Sequence, residues 1–370
     1  MKESLLTVIC EVQYGYAFDS KLFNDNEGLP VIRIRDVVRG YSETKTTEKC
    51  PDSYIINNGD ILIGMDGEFN IARWKGGKAL LNQRVCKLIP KYVNADYVLY
   101  YMPIALKAIE EKTPFVTVKH LSAKEINKIC VPLPDEYQQQ YISKSLALCD
   151  SLIFQNKLLL NKLDELIKSR FVEMFGNPIT NSHNLPLKTL SELGELGRGI
   201  SKHRPRNAPE LLGGVYPLIQ TGDVANASLY ILDYNSTYSE TGFKQSKMWS
   251  KGTLCITIAA NIAKTAILTF DSCFPDSVVG FNANVSTNNI FIHFWFSFFQ
   301  EILEEQAPES AQKNINLKIL SELKVIVPPI ELQQQFADFV AQTDKSKLAV
   351  KHILEKAETL KKSLMQEYFG

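Results

Sequence analysis

The longest regular hydrophobic pattern in the chain runs from Asp135 to Gly176, a stretch without proline or internal glycine. Apolar residues recur in it at the three-to-four-residue spacing of one helix face, with an overall repeat of seven. The stripe consists of Leu146, Ile153, Leu160, Ile167 and Met174, with Leu152, Leu159 and Leu166 beside them and Cys149, Asn156 and Leu163 completing the seam. Such a helix would span on the order of 50 Å, more than a small domain buries, so we expect it to pack against another long helix.

A second stretch of the same kind lies at Ile330 to Gly370. Its apolar stripe is interrupted by Lys347 and Lys361 and consists of Phe336, Val340, Val350, Ile353, Leu354, Ala357, Leu360, Leu364 and Tyr368. Both stretches follow a proline-bearing strand-like segment, begin with a glutamine triplet and finish Glu-x-Phe-Gly. Aligned on the triplets, they match with one insertion. The sequence therefore predicts two copies of one long helix, paired with each other.

The segments that precede the two helices also match. Each alternates short strand-like runs with turns and then reaches an apolar helical segment, which is Ile290 to Phe299 in the second copy. Residues 30–37 align with 217–224, and residues 58–63 align with 251–256. The spacing is kept while loop side chains differ, as in a scaffold that carries different binding surfaces. We expect an α+β fold with an internal repeat of globular domain followed by long helix.

Composition adds constraints of a general kind. The chain has 370 residues, of which 45% are hydrophobic and 22% charged, an ordinary globular mixture. The seven cysteines are scattered without a Cys-x-x-Cys pair, and we expect reduced, buried thiols. There is neither a signal-peptide core near the first residue nor a run of 18 apolar residues, which favours a cytoplasmic protein outside the membrane.

Four segments carry a resemblance to a known family: VPLPDEYQQQ, VPPIELQQQ, SKHRPRNAPELLGGVYPLIQTGDV and GDILIGMDGEFNIARW. Their order along nearly the whole chain resembles the specificity subunit of type I restriction-modification systems. The resemblance implies that each globular domain is a target-recognition domain for one half of a two-part DNA site. It further implies that the long helices pair antiparallel, separate the two domains and dock methyltransferase subunits, and that this chain has no catalytic activity.

The resemblance implies a division into four segments. Residues 1–134 and 177–328 would be the target-recognition domains, and 135–176 and 329–370 would be the long helices, related by a pseudo-two-fold internal repeat. The partners implied are double-stranded DNA, two methyltransferase subunits and the restriction/translocase subunits of the full complex. No cofactor or metal is expected on this chain, whereas S-adenosylmethionine is expected on the methyltransferase. Apolar helix positions outside the seam, namely Phe154, Leu158 and Phe171, either take part in that docking or pack on this chain's own domains.

The chain has 41 basic residues (Lys and Arg) and 41 acidic residues (Asp and Glu), so its net charge gives no argument for DNA binding. Only local clusters of charge can point to a DNA-binding surface. The densest basic cluster lies in a glycine- and proline-rich loop of the second copy and consists of Arg198, Lys202, His203, Arg204 and Arg206. Such a loop offers phosphate contacts and guanidinium groups that can read guanine edges. In the first copy, Arg73 and Lys75 flank Trp74, and Arg33 and Arg35 stand where the second copy has Gln220 and Gly222. These differences predict two unlike half-sites rather than a palindrome.

Lys119 and Lys313 precede the two long helices in corresponding places and could either contact DNA or serve in capping. Two enzymatic alternatives remain, a DNA methyltransferase and a nuclease with an unrecognised active site. A methyltransferase would need a cofactor-binding glycine loop and an Asn/Asp-Pro-Pro-aromatic tetrapeptide, which do not occur. A nuclease could use Asp60, Asp66 and Glu68, although a polar turn explains them as well. A coiled-coil scaffold would not need two elaborate globular domains.

Overall fold

The structure is a computed structural model that describes residues 2–112, 119–259, 261–306 and 315–370, with side chains throughout these ranges except at 299–306. The chain divides into two compact units. Unit 1 consists of Met1–Asn156 with Ile353–Gly370, and unit 2 consists of Lys157–His352. Each unit contains one globular copy together with part of both long helices.

Three sheets form the described part of unit 1. The strands are β1 (Glu3–Leu5), β2 (Cys10–Tyr14), β3 (Leu29–Ile32), β4 (Lys45–Thr46), β5 (Ile55–Ile56), β6 (Ile61–Gly64), β7 (Asn70–Arg73), β8 (Ala79–Leu81), β9 (Val85–Pro90) and β10 (Cys130–Pro132). They pair in the orders β2-β9-β6-β7 and β4-β3-β8-β5, and β1 pairs with β10. The first sheet is antiparallel, whereas β3 and β8 run parallel.

The helices of unit 1 pack on both faces of the sheet that contains β6. They are α1 (Leu6–Ile9), α2 (Ile34–Arg39), α3 (Ala95–Lys112), α4 (Ala123–Ile126) and the first half of α5 (Glu136–Phe175), with 3-10 turns at Ser20–Leu22 and Asp52–Tyr54. Helix α3 joins the core of Ile61 and Ile63, whereas α2 joins that of Leu62. Helix α3 buries Tyr97, Val98 and Met102 against β6 and β9, at the spacing of a single helix face. Ile142 and Leu146 of α5 join the same core.

Unit 2 repeats this plan. Its strands are β11 (Leu187–Thr189), β12 (Gly194–Arg198), β13 (Leu212–Leu218), β14 (Tyr230–Ile231), β15 (Ser236–Tyr238), β16 (Met248–Trp249), β17 (Leu254–Thr257), β18 (Thr265–Leu268), β19 (Ser272–Cys273), β20 (Val278–Ala283) and β21 (Lys324–Ile326). Its helices are α6 (Leu190–Leu193), α7 (Thr221–Asn226), α8 (Glu240–Lys244), α9 (Asn289–Gln306), α10 (Leu317–Glu322) and the remainder of α5 and of α11 (Ile330–Phe369), with a 3-10 turn at Pro209–Leu211. The strand orders are β12-β20-β17-β18-β14, β15-β13-β19-β16 and β11-β21.

The internal repeat predicted from the sequence is confirmed by strand pairing. The antiparallel order β2-β9-β6-β7 matches β12-β20-β17-β18, and the parallel pair β3 and β8 matches β13 and β19. Both aligned motifs occupy equivalent places, because α2 follows β3 as α7 follows β13. The turns before β6 and β17 use Gly59 and Gly252 at φ +95° and +91°, a conformation in which a side chain would be strained. The α+β fold class is confirmed.

The two long helices are each 40 residues long, and each ends at a Phe that is followed by Gly. They therefore match without any insertion, which corrects the alignment on the glutamine triplets. The glutamines that correspond are Gln139 and Gln333, both buried. Gln139 donates to the Pro134 carbonyl at 2.8 Å and Gln333 donates to the Pro328 carbonyl at 2.9 Å. Each also accepts a backbone N–H from the loop before the core helix of its unit, from Asn94 at 2.8 Å and Asn288 at 3.3 Å.

Within each unit the helix segments pair antiparallel. In unit 1, Lys361 contacts Asp150 while Tyr368, further along α11, contacts Tyr141, which is earlier in α5. In unit 2, Lys347 contacts Asp164, and the Phe171 and Phe336 rings lie 5.3 Å apart, again in reversed order. The expected antiparallel pairing is thus confirmed. The lysines that interrupt the stripe occupy the positions of Ile153 and Ile167 in the first copy.

The cores of both units include the ends of the long helices. Phe369 packs against Tyr97 and Tyr101 in unit 1, and Phe175 packs against Phe291 in unit 2. Phe171 is also fully buried there, so of its two expected roles it has the one of packing on this chain's own domain, whereas Phe154 and Leu158 are exposed. The segment Ile290 to Phe299 lies in α9, as predicted for a core helix.

All seven cysteines are free, and five of them are buried as expected. Cys130 is exposed and Cys50 is half-buried, so the expectation of buried thiols is wrong for these two. Burial raises the pKa of the Cys10 and Cys86 thiols to about 12, which keeps them protonated. Across the described residues, the helices are too short or too polar to cross a lipid bilayer.

Candidate nucleic-acid interface

The basic loop of unit 2 is organised around one carboxylate. Asp276 binds Arg206 through Oδ1 and Arg204 through Oδ2, the latter at 3.3 Å, and its carbonyl accepts from Arg198 Nε. Arg204 also donates to the Ser201 and His203 carbonyls at 2.6 and 2.8 Å. Three of the predicted residues, distant from Asp276 in sequence, are therefore gathered around it.

The other two members of the cluster are held through their backbone. The N–H groups of Lys202 and His203 both donate to Gln245 Oε1, the second at 2.9 Å. His203 Nε2 lies 3.6 Å from Glu210 Oε1 at the surface. The Lys202 ammonium is exposed and makes no contact with a described polar partner, so it is available to an anion.

A pocket of about 170 Å³ adjoins this loop. Its lining includes Arg206, Gln220, Thr221, Tyr238, Pro275 and Ser277. Gln220 immediately precedes α7, and Pro275 and Ser277 flank Asp276 in the turn between β19 and β20. The pocket thus lies between the basic loop and Gln220, the residue that aligns with Arg33 of the first copy.

The equivalent place in unit 1 holds a pocket of about 390 Å³ with more arginine in its lining. The residues that contribute polar groups are Arg33, Arg35, Asn82, Gln83 and Arg84. Arg33 and Arg35 were predicted, whereas sequence reasoning missed the turn of residues 82–84. No local sequence signal marked this turn, because its place depends on the parallel pairing of β8 with β3, as that of residues 275–277 depends on the pairing of β19 with β13.

Arg84 is oriented by a carboxylate, as Arg204 and Arg206 are in unit 2. Its Nη1 lies 2.7 Å from Asp66 Oδ2, and His120 Nδ1 lies 2.5 Å from Asp66 Oδ1. Asp66 itself is largely shielded, since its side chain is 12% exposed. Charge-assisted bonds of this kind hold an arginine in one orientation at the rim of its pocket.

The remaining predicted residues are placed differently. Arg73 lies in β7 and binds Asp96 through Nε and Nη2 at 3.1 and 2.6 Å, so its guanidinium serves the fold of unit 1. Lys75 is exposed, and Lys119 lies 3.4 Å from Glu110. Lys313 lies outside the described residues.

Lys119 is not needed as a helix cap. Ser122 caps α4 by accepting from the Glu125 N–H at 3.3 Å, and Asn316 caps α10 by accepting from the Ile319 N–H at 2.9 Å.

Of the three carboxylates considered for a nuclease, Asp60 and Asp66 are engaged with basic side chains. Asp60 pairs with Lys87 at 2.9 Å, and Asp66 pairs with Arg84 and His120. No set of three metal-ligating side chains converges within the described ranges 2–112, 119–259, 261–306 and 315–370. The arrangement suits surface recognition of a polyanion by oriented arginines better than metal-assisted hydrolysis.

Comparison with known proteins agrees with this geometry. The family described as "Type I restriction modification DNA specificity domain" matches residues 1–165 and 187–359. The chain is 27% identical over 401 aligned positions to the type I restriction enzyme EcoBI specificity subunit of Escherichia coli, covering 98% of this chain and 84% of that protein. It is 20% identical to the putative MjaX specificity subunit of Methanocaldococcus jannaschii, covering 94% and 87% of the two chains.

Solved structures give the same fold. The type I restriction-modification S subunit from M. genitalium superimposes with a TM-score of 0.64 at 14% identity, covering all of this chain and 96% of that one. A chain from a study of complex assembly and conformational transition in a type I system gives a TM-score of 0.61 at 16% identity, covering 100% and 97%. Since the family match spans both repeats, this chain belongs to the type I restriction-modification DNA specificity subunits, the non-catalytic recognition components of their complexes.

Proposed function

We propose that this chain reads an asymmetric, two-part DNA sequence and directs methyltransferase and restriction subunits to it. The observation that carries the proposal is the pair of equivalent pockets with unlike linings, one with Arg33, Arg35 and Arg84 and the other with Arg206 and Gln220. A common scaffold that presents different donors and acceptors would read different bases. Two unlike half-sites follow from that difference.

The assignment of segments follows the internal repeat. Residues 1–134 and 177–328 would each form a target-recognition domain, and residues 135–176 and 329–370 would form the helical spacer between the half-sites. Support comes from the pockets, which are lined by residues of the two globular copies and by none of α5 or α11. A spacer of fixed length would give the DNA site a fixed gap.

Exposed apolar residues on the long helices support docking of two methyltransferase subunits. Unit 1 exposes Phe154, Ile353 and Leu360, and unit 2 exposes Leu348, Leu159 and Leu166 at the equivalent positions. The agreement is close, since Phe154 is 69% exposed and Leu348 is 68% exposed. Large apolar side chains repeated on the surface mark an interface, and a repeated set favours two copies of one partner.

The remaining parts of the proposal concern the complex. S-adenosylmethionine would bind to the methyltransferase, and the restriction/translocase subunits would join the assembly in the cytoplasm. This chain would contribute only the recognition of the DNA sequence and the spacing between the two half-sites. The enzymatic alternatives lose support because the candidate carboxylates Asp60 and Asp66 already hold basic side chains.

The decisive experiment is genome-wide mapping of methylated bases in cells that carry this chain with its methyltransferase. The expected result is one motif with two unlike specific parts and a fixed gap of unspecified bases. A continuous motif, or a palindromic one, would contradict the proposal.

Alanine at Arg204 or Arg206 then tests the basic loop. If either guanidinium forks onto a guanine, its loss should cost about 1–3 kcal/mol and relax specificity in one half-site only. If the loop binds phosphates alone, binding to all sequences weakens equally and the salt dependence becomes shallower.

A further inference from the structure

The residue that precedes the short helix of each repeat occupies one and the same structural position. Arg33 and Gln220 both have extended backbones, with φ/ψ of −97°/166° and −110°/172°. Each donates its N–H to an aspartate three residues later, Arg33 to Asp36 at 2.9 Å and Gln220 to Asp223 at 2.8 Å. The two side chains therefore leave equivalent scaffolds in equivalent directions.

Neither side chain is used by its own unit. The aspartate carboxylates already satisfy the backbone at these helix starts, so capping does not require Arg33 or Gln220. Across the described parts of the chain, the Arg33 guanidinium and the Gln220 amide make no hydrogen bond or ion pair, and both residues are exposed. Each lines the pocket of its unit. Two unpartnered multidentate groups thus stand at the same place in two recognition surfaces.

The polar side chains beside Arg33 and beside Gln220 also differ between the two pockets. Arg33 stands with Arg35 and with Arg84, which Asp66 orients. Gln220 stands with Thr221, Ser277 and Arg206. Both linings contain side chains that can donate and accept, including Asn82 and Gln83 in the first, but the first lining has three arginines and the second has one.

We propose that this position reads a base edge in each half-site, with Arg33 selecting guanine and Gln220 selecting adenine. An arginine fork matches the two acceptors O6 and N7 of guanine in the major groove, and a glutamine amide matches the acceptor N7 and donor N6 of adenine. The inference rests on the proposed function, because it names the bases that the two recognition domains take. The unit 1 half-site contains a guanine that depends on Arg33, and the unit 2 half-site contains an adenine that depends on Gln220.

The test exchanges the two side chains in the complete complex. Methylated motifs are mapped for wild type, Arg33→Gln, Gln220→Arg and the truncations Arg33→Ala and Gln220→Ala. R33Q should change one guanine to adenine in one half-site, and Q220R should change one adenine to guanine in the other. Each alanine variant should lose discrimination at that base by roughly 10- to 100-fold in competition binding, while the other half-site is unchanged.

Matched controls lie on the same short helices. Arg39→Ala removes one exposed positive charge from α2, and Asn226→Ala removes one exposed amide from α7. Both should leave the motif unchanged. Circular dichroism of each variant, together with the unchanged half-site, separates a folding defect from a recognition defect.

Three outcomes are distinguishable. A motif that stays the same in R33Q and Q220R while binding weakens for all sequences would overturn the inference and assign both side chains to phosphate contacts. The base assignment would be overturned if the Arg33 variants relax a position that is not guanine in the wild-type motif. It would also be overturned if the Gln220 variants relax a position that is not adenine. If wild type itself yields no two-part motif, the proposed function fails, which is a different result from either of these.

Discussion

Lys347 Nζ lies 2.7 Å from Asp164 Oδ1, across the two long helices of unit 2. The lysine is 8% exposed and has a second partner, Asp344, at 3.4 Å on its own helix. In unit 1, Lys361 pairs with Asp150 in the same way at 2.6 Å. Each of the two lysines that interrupt the apolar stripe of α11 therefore forms an ion pair with an aspartate of α5. The two helices thus remain in contact at these positions.

The first prediction concerns this ion pair. Asp164→Asn combined with Asp344→Asn should lower the free energy of unfolding by about 1–3 kcal/mol, because a buried ammonium loses both partners. The cost stays below that of a fully buried pair because the Asp164 side chain is 57% exposed. Adding Lys347→Met should restore much of the loss, since the buried charge is gone. Urea unfolding at neutral pH measures the free energy of unfolding of the wild type, the double variant and the triple variant.

Glu111→Gln is the control for that series, because the Lys107–Glu111 pair is exposed on both sides. It should change stability by less than about 0.5 kcal/mol. If the triple variant is as unstable as the double variant, the lysine charge is not the cause.

The second prediction concerns Asp276, which orients Arg204 and Arg206. Asp276→Asn raises the local positive charge by one and releases both guanidinium groups. Binding to random duplex should therefore strengthen with a steeper salt dependence, while the ratio of specific to non-specific affinity should fall. Fluorescence anisotropy with specific and random duplexes over a salt series gives both quantities.

Asp233→Asn, which neutralises an exposed acid elsewhere in unit 2, is the charge-matched control. A variant D276N that binds random DNA no better than D233N, with specificity intact, would show that Asp276 has no part in recognition.

The third prediction concerns the partner surfaces. Replacing Phe154 and Leu360 with serine should remove one methyltransferase copy from the complex, and replacing Leu348 and Leu166 should remove the other. Loss of buried apolar area weakens each contact separately because the two sets belong to different units. Native mass spectrometry reports the stoichiometry directly.

Val285→Ser, at a residue 92% exposed on the globular part of unit 2, should leave two copies bound. Unchanged stoichiometry in the four-residue variant would place the docking surface elsewhere.

The fourth prediction is a pH dependence of stability. Burial, together with the nearby Lys347 charge, lowers the pKa of His293 to about 4, and Thr265 Oγ1 lies 2.9 Å from His293 Nδ1. The unfolded chain takes up this proton near the ordinary pKa of about 6.5, so it binds more protons than the folded chain between these values. The free energy of unfolding should therefore fall by roughly 3 kcal/mol as the pH drops from about 6.5 towards 4.

His293→Gln, which keeps a group able to bond Thr265, should flatten this part of the pH profile in urea unfolding. His352→Gln, at an exposed residue of α11, should leave the profile as it is. A wild-type profile that is flat between pH 4 and 6.5 would be inconsistent with a buried neutral His293.

The sequence by itself determined the features that are local or periodic. The seven-residue spacing around Leu160 predicted the long helices because a helix places such residues on one face whatever surrounds it. The repeat was visible because each copy must cover the same kind of core, and the arginine cluster at residues 198–206 was visible because its members are close in sequence.

Only the tertiary structure decided which distant residues meet. Periodicity shows that a helix face is apolar but not what covers it, so it could not tell that Phe171 is buried while Phe154 is exposed. Asp150 and Lys361 are 211 residues apart, and their pairing depends on the register between the two helices. The alignment on the glutamine triplets was in error by one residue along the helices.

Arg84 joins Arg33 because parallel strands bring their ends to the same edge of a sheet, a relationship that no local sequence pattern records. The long-range pairing of β3 with β8 therefore decided the composition of the recognition pocket, while the sequence decided only that such a strand and such an arginine exist.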